Sequence, residues 1–205
     1  MSVDLGVLLP AFITVLVTIF IAELTDKDAL LLLALATKMK PWTAFAAGST
    51  AFTITSAIIV TIGYFLTKIA PIFWIRLAGG GVMIGYAIWD YSRNGGEVER
   101  EEEKQLLNQT KKKTAWSVFL GAVSLLILLD LAGDATEVIT IVFVARFSNT
   151  LLVFLGAVAA LVAASALETV LGGRLAKILS PKRLRVFSLI VFLIIGSVII
   201  LTTLV

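Results

Sequence analysis

Long apolar runs, most of them near the roughly 20 residues needed to cross a bilayer, alternate along this chain with short polar breaks. They predict six membrane spans, at about residues 7–38, 43–67, 73–91, 115–147, 151–175 and 184–204. The first and fourth runs exceed a single crossing by about ten residues, and each carries polar residues in mid-run. Unwound backbone at membrane depth is tolerated where it lines a cavity, so these two helices are expected to be kinked or broken there. The one long hydrophilic stretch mixes both charge signs and reads as a solvated linker. The chain thus divides into a three-helix unit at 1–92, a charged linker at 93–114 and a second three-helix unit at 115–205.

The polar breaks inside the runs are mostly acidic. Glu23, Asp26 and Asp28 lie in the first long run, Asp130, Asp134 and Glu137 in the fourth, and Glu168 in the fifth. An acid at mid-membrane costs roughly 2.5–3.5 kcal/mol on insertion scales, and such residues usually mark a substrate or ion path. A chain that keeps seven of them has a use for them, most simply a cation.

Registration of the two halves strengthens this reading. A shift of 108 residues maps Asp26 onto Asp134, Lys38 onto Arg146, Gly48 onto Gly156 and Thr61 onto Thr169 without a gap. Each half has three spans, an odd number, so the second must enter the membrane from the opposite side. The expected fold is an all-α membrane protein, six transmembrane helices arranged as two inverted three-helix repeats, with any binding site near the midplane between them. Lys and Arg crowd the loops after spans one, three and five, whereas the opposite side carries Lys68, Arg76 and Arg146. The positive-inside rule then places both termini outside and the charged linker in the cytoplasm of a cell that holds the protein in its plasma membrane.

Composition narrows the chemistry. The chain is 59% hydrophobic and contains no cysteine and no histidine. Disulfides and thiolate or imidazole metal sites are excluded, so a bound metal must be held by oxygen. The net charge of +3 is accounted for by loop cations and requires no nucleic-acid partner. The start of the chain lacks a basic region and a small-residue cleavage site, so the first run reads as a retained span. No nucleotide-binding loop is present, which points to a secondary transporter, not to an enzyme or an ATP-driven pump.

Helical spacing brings the acids together within each half. Glu23 and Asp26 are three residues apart, Asp130 and Asp134 four apart, with Glu137 three further on. Residues at these spacings share a helix face. Their carboxylates, with the hydroxyls of Thr25, Thr136 and Thr140 and nearby backbone carbonyls, would make an oxygen cage suited to a hard divalent ion such as Ca²⁺ or Mn²⁺. Gly133, beside Asp134, would allow a local break. The same groups can take protons, so cation binding and proton release become alternatives at one site. Lys27 would neutralise Asp28 or snorkel, and Glu168 could complete the cage, guard the path or pair with Lys27. Asp90 reads as interfacial, while Ser49, Thr50, Thr53, Thr55 and Ser56 either pack span two or line a polar path.

The acidic patches resemble the paired motif of the GDT family of divalent cation/proton antiporters, relatives of bacterial manganese exporters. That motif, Glu-Φ-Gly-Asp-Lys/Arg-Thr/Ser, stands once in the first span of each three-span half. Here the first copy is Glu23-Leu24-Thr25-Asp26-Lys27-Asp28, and the second is Leu131-Ala132-Gly133-Asp134-Ala135-Thr136. The resemblance implies Glu23, Asp26 and Asp134 as cation ligands, with Asp130, one residue early, in place of the second Glu. Thr25, Asp28, Leu131 and Ala135 depart from the pattern and leave the cation's identity open. Implied partners are divalent cations, protons and the lipid bilayer, with no permanently bound cofactor; the chain could also assemble with copies of itself. A passive cation channel, an exporter of another small cation and a non-transporting scaffold are the competing readings.

Overall fold

The computed structural model describes residues 5–25, 31–33, 35–36, 39–92, 115–131, 135–147, 149–178 and 181–205. These residues contain no strand. The helices are α1 (Leu5–Thr25), α2 (Pro41–Ile69), α3 (Ile72–Ser92), α4 (Ala115–Asp130), α5 (Ala135–Arg146), α6 (Thr150–Ile178) and α7 (Pro181–Leu204). Residues 31–33 and 35–36 are also helical. Four stretches, Pro41–Ile69, Ile72–Trp89, Thr150–Val170 and Val186–Leu204, are long and apolar enough to cross a membrane. Leu8–Leu24 and Trp116–Leu128 form shorter apolar helices. The charged linker predicted at 93–114 lies outside the described residues.

Local chemistry sets the helix ends. Pro41 opens α2 at a position where its missing N–H is no loss. At the other end of α2 the Ala70 N–H bonds the Leu66 carbonyl, and Pro71 turns the chain into α3. The Asn149 side chain accepts the Leu152 N–H at 3.1 Å and so caps the start of α6. The fourth predicted run is not one helix: α4 stops at Asp130, Leu131 is in a turn and α5 begins at Ala135. The expected break therefore falls at the acidic patch of the second half. In the first half α1 is described as far as Thr25, and residues 26–30 lie outside the described residues.

Lipid and protein faces separate cleanly on α1. Leu9, Ile13, Val17 and Ile21 are exposed, whereas Ala11, Val15, Ile19 and Ala22 are buried. Between membrane helices there is little hydrophobic drive, and van der Waals fit decides the packing. The major contacts run between the two halves: α1 on α6, α4 on α2, α2 on α6 and α3 on α7. The short α5 lies against α2 and α3 and also touches α1 and α6.

Glycines permit the closest approaches. A Cβ at Gly48 would come within 2.8 Å of Leu32 Cδ2, and one at Gly156 within 2.8 Å of Val15 Cγ1. These are the two glycines that the 108-residue shift pairs. Along α3 and α7, Gly80 meets Ile199 and Ile200, Ile84 meets Gly196, and the Tyr86 ring lies 5.8 Å from that of Phe192. Numbers rise on one helix as they fall on the other, so α3 and α7 run antiparallel. The same is true of α3 and α5, where Arg76 Nη2 donates to the Ala145 carbonyl at 3.2 Å and Gly79 lies against Val142 and Val138. That contact also puts Arg76 beside Arg146, two of the three cations the sequence assigns to one side.

Candidate cation site

Two helices carry a buried row that closes on an acid. Val15, Ile19 and Glu23 follow one another at four-residue intervals on α1, and each is 0% exposed. Residues so spaced lie on one helix face. Val15 touches Gly156, so this face looks at α6. On α4 the matching row is Ala122, Leu126 and Asp130, buried at 3%, 0% and 3% exposure, and α4 packs on α2. Each row ends in its acid: Asp130 is the last residue of α4, and Glu23 lies two residues before Thr25, where the described part of α1 stops. Leu131, which holds the motif Glu position by sequence register, is 39% exposed and in the turn. Of residues 130 and 131, Asp130 is therefore the one that faces inward, because it continues the four-residue row.

The end of α4 suits a cation in a second way. The last turn of a helix carries partial negative charge from carbonyls without intrahelical partners. Asp130 thus stands where the backbone of α4 is also negative. After the break, α5 opens with Thr136, which is buried, and Glu137, which is half-buried in the first turn. The Thr140 hydroxyl donates to the Thr136 carbonyl at 2.7 Å, so its proton is used within α5 while its oxygen lone pairs stay available.

Glu168 sits on α6, 0% exposed. Neither of its carboxylate oxygens has a hydrogen-bond partner among the described residues. Gly156 marks the side of α6 that meets α1, and Ser165, whose hydroxyl lies 3.2 Å from the position of a Gly48 Cβ, marks the side that meets α2. At about 100° per residue, Gly156 and Ser165 stand on opposite sides of α6, and Glu168 lies about 60° around the helix from Ser165, nearer the side that meets α2. Sequence reasoning found Glu168 but passed over Ser165, although a hydroxyl three residues before an intramembrane acid is a readable signal.

Of the five predicted metal ligands, Glu23, Asp130 and Glu137 are placed as described above. Asp26 and Asp134 lie outside the described residues, as do Lys27 and Asp28 of the accessory set; the helix α1 includes Thr25 at its last position. Among the described residues no three acidic side chains form a group able to hold a metal ion. The helices that carry Glu23, Glu137 and Glu168 are nevertheless mutual neighbours, since α1, α5 and α6 all touch.

The family described as "Divalent cation/proton antiporter GDT1" matches residues 11–95 and 118–204, covering both halves and leaving most of the charged linker outside. No curated protein and no solved structure matches the chain.

Proposed function

The chain belongs to the GDT1 family of divalent cation/proton antiporters, and we propose that it exchanges Mn²⁺ or Ca²⁺ for protons, exporting the metal from the cytoplasm. The observation that carries this reading is the pair of matched rows ending in Glu23 and Asp130, one from each half. The proposed ligands are those two acids with Asp26, Asp134 and Glu137, drawn from the acidic patches of both halves. Thr25, Lys27, Asp28 and Thr136 stand beside them as accessory or proton-coupling groups.

The exchange follows from carboxylate chemistry. An oxygen cage holds a divalent ion only when its carboxyl groups have given up protons, so metal arrival expels protons and proton arrival expels metal. Two halves of inverted topology give the site two equivalent ways to open. Contacts that run mainly between the halves, and the antiparallel pairing of α3 with α7, support that arrangement. Six spans, termini outside and a cytoplasmic linker complete the proposal, in a cell membrane.

Uptake of Mn²⁺ and Ca²⁺ into proteoliposomes, with and without an imposed pH gradient, tests it. Metal flux that follows the gradient and falls in Glu23→Gln is expected. Flux indifferent to the gradient would make the protein a passive cation channel, and unchanged flux in Glu23→Gln would remove the site assignment.

A further inference from the structure

Hydroxyls on a membrane helix have a ready partner, the carbonyl one turn back. The threonines of α2 and α6 use it: Thr50 bonds the Ala46 carbonyl at 2.7 Å, Thr53 that of Ser49 at 2.6 Å, Thr61 that of Ala57 at 2.6 Å and Thr169 that of Ser165 at 2.7 Å. Three serines on the same two helices do not. The buried hydroxyls of Ser49, Ser56 and Ser165 have no hydrogen-bond partner among the described residues, and neither has the carboxylate of Glu168. Ser49 and Ser56 are seven residues apart, which puts them on one face of α2. Ser165 and Glu168 are three apart on α6, and Ser165 lies against Gly48 of α2.

Orphaned polar groups in an apolar interior are costly, by about 1–3 kcal/mol for each neutral group and more for a carboxylate. Four of them on two helices that pack together call for a partner that the helices themselves do not supply. Water supplies it: a buried water makes about three hydrogen bonds to groups otherwise left unsatisfied. A channel of water ending on a carboxylate is also a route for a hydrated cation, whose shell those oxygens can replace one by one.

We propose that Ser49, Ser56, Ser165 and Glu168 line a water-filled path between α2 and α6, and that Glu168 is a way-station where the divalent cation rests before reaching the carboxylates of the two acidic patches. The way-station rests on the antiport reading above for its cation; the water path stands without it. Glu168 contributes oxygen and charge on the side of α6 nearer α2, and the serines contribute neutral oxygens that hold water without trapping the ion.

The natural chain has no cysteine, so single cysteines report water directly, since a thiol reacts with aqueous thiosulfonates only as the thiolate. The Ser49→Cys, Ser56→Cys and Ser165→Cys variants in membrane vesicles should label with a small cationic methanethiosulfonate at least roughly tenfold faster than Ile54→Cys and Ile58→Cys on the exposed side of α2. Millimolar Mn²⁺ or Ca²⁺ should slow labelling of Ser165→Cys, and adding Glu168→Gln should abolish that slowing. Labelling of the serine positions no faster than of the isoleucine controls overturns the path. Metal protection that is absent, or that survives Glu168→Gln, overturns the way-station. Should Glu168→Gln not reach the membrane, Glu168→Asp takes its place and must weaken the protection, an undiminished effect counting against the proposal. Labelling needs no flux, so a failure of gradient-driven transport with labelling intact would sink the antiport reading and leave the path standing.

Discussion

Gly80 of α3 and Gly196 of α7 face each other so closely that a Cβ on either would lie 2.9 Å from the other's carbonyl oxygen. The crossing of the last helix of each half is thus a reciprocal backbone contact, and a backbone oxygen cannot swing aside as a side chain can. Gly80→Ala and Gly196→Ala should each lower thermal stability in detergent by about 1–3 kcal/mol, the usual cost of overpacking. The double variant should lose less than the two singles together, because the first methyl already parts the helices. Gly81→Ala and Gly85→Ala, where nothing lies within 4 Å, should leave the midpoint unmoved. Melting curves of the five variants and the parent decide the matter.

Glu23 and Asp130 should be interchangeable in importance, since each ends a buried row on the first helix of its half. Glu23→Gln and Asp130→Asn are each expected to slow gradient-driven metal uptake by at least about tenfold, equivalent to 1.4 kcal/mol. Moving the acid to the position the family motif assigns, Asp130→Leu with Leu131→Asp, should not restore transport, because residue 131 faces out of the turn. Recovery in that relocated variant would mean that motif register, and not the helix face, sets the ligand.

Much of this was legible before any coordinates. Hydropathy alone marks the apolar elements, because span length is dictated by the bilayer, and the cluster of acids in the second long run pointed to a kink or break in that patch, where α4 gives way to α5. The 108-residue register pairs Gly48 with Gly156, and both are close-packing positions. What hydropathy could not give was the choice of partner. On a lipid-immersed helix both faces are apolar, so Leu9–Ile13–Val17 and Ala11–Val15–Ile19 look alike in sequence while one meets lipid and the other protein. For the same reason the sequence showed Asp130 only as a displaced motif residue; its equivalence to Glu23 rests on the i, i+4 rows. Ser165 was missed because a lone hydroxyl in an apolar run normally bonds its own helix, and only the geometry shows that this one does not.

Arg76 joins α3 to the far end of α5, donating to the Ala145 carbonyl. Glu137 and Ala145 are eight residues apart on that helix, about 12 Å at 1.5 Å per residue. Arg76→Gln should therefore cost about 1 kcal/mol of stability while leaving the metal concentration for half-maximal uptake unchanged. A shift in that concentration, measured alongside the melting temperature, would place Arg76 in the ion path instead.

Protons released on metal binding give the most direct reading of the coupling. If one set of carboxyl groups serves both ions, each Mn²⁺ or Ca²⁺ bound must displace the protons those groups hold, and affinity must fall as pH falls because protons compete for the same oxygens. Titration calorimetry in two buffers of different ionisation enthalpy counts the released protons without any membrane or gradient. The expected result is proton release in the parent protein that shrinks in Glu23→Gln and in Asp130→Asn, since each removes one titratable group from the set. Metal binding with no proton release at any pH would falsify exchange at a shared site, whatever the flux measurements showed, because an ion that displaces nothing on arrival cannot be driven by what it displaces.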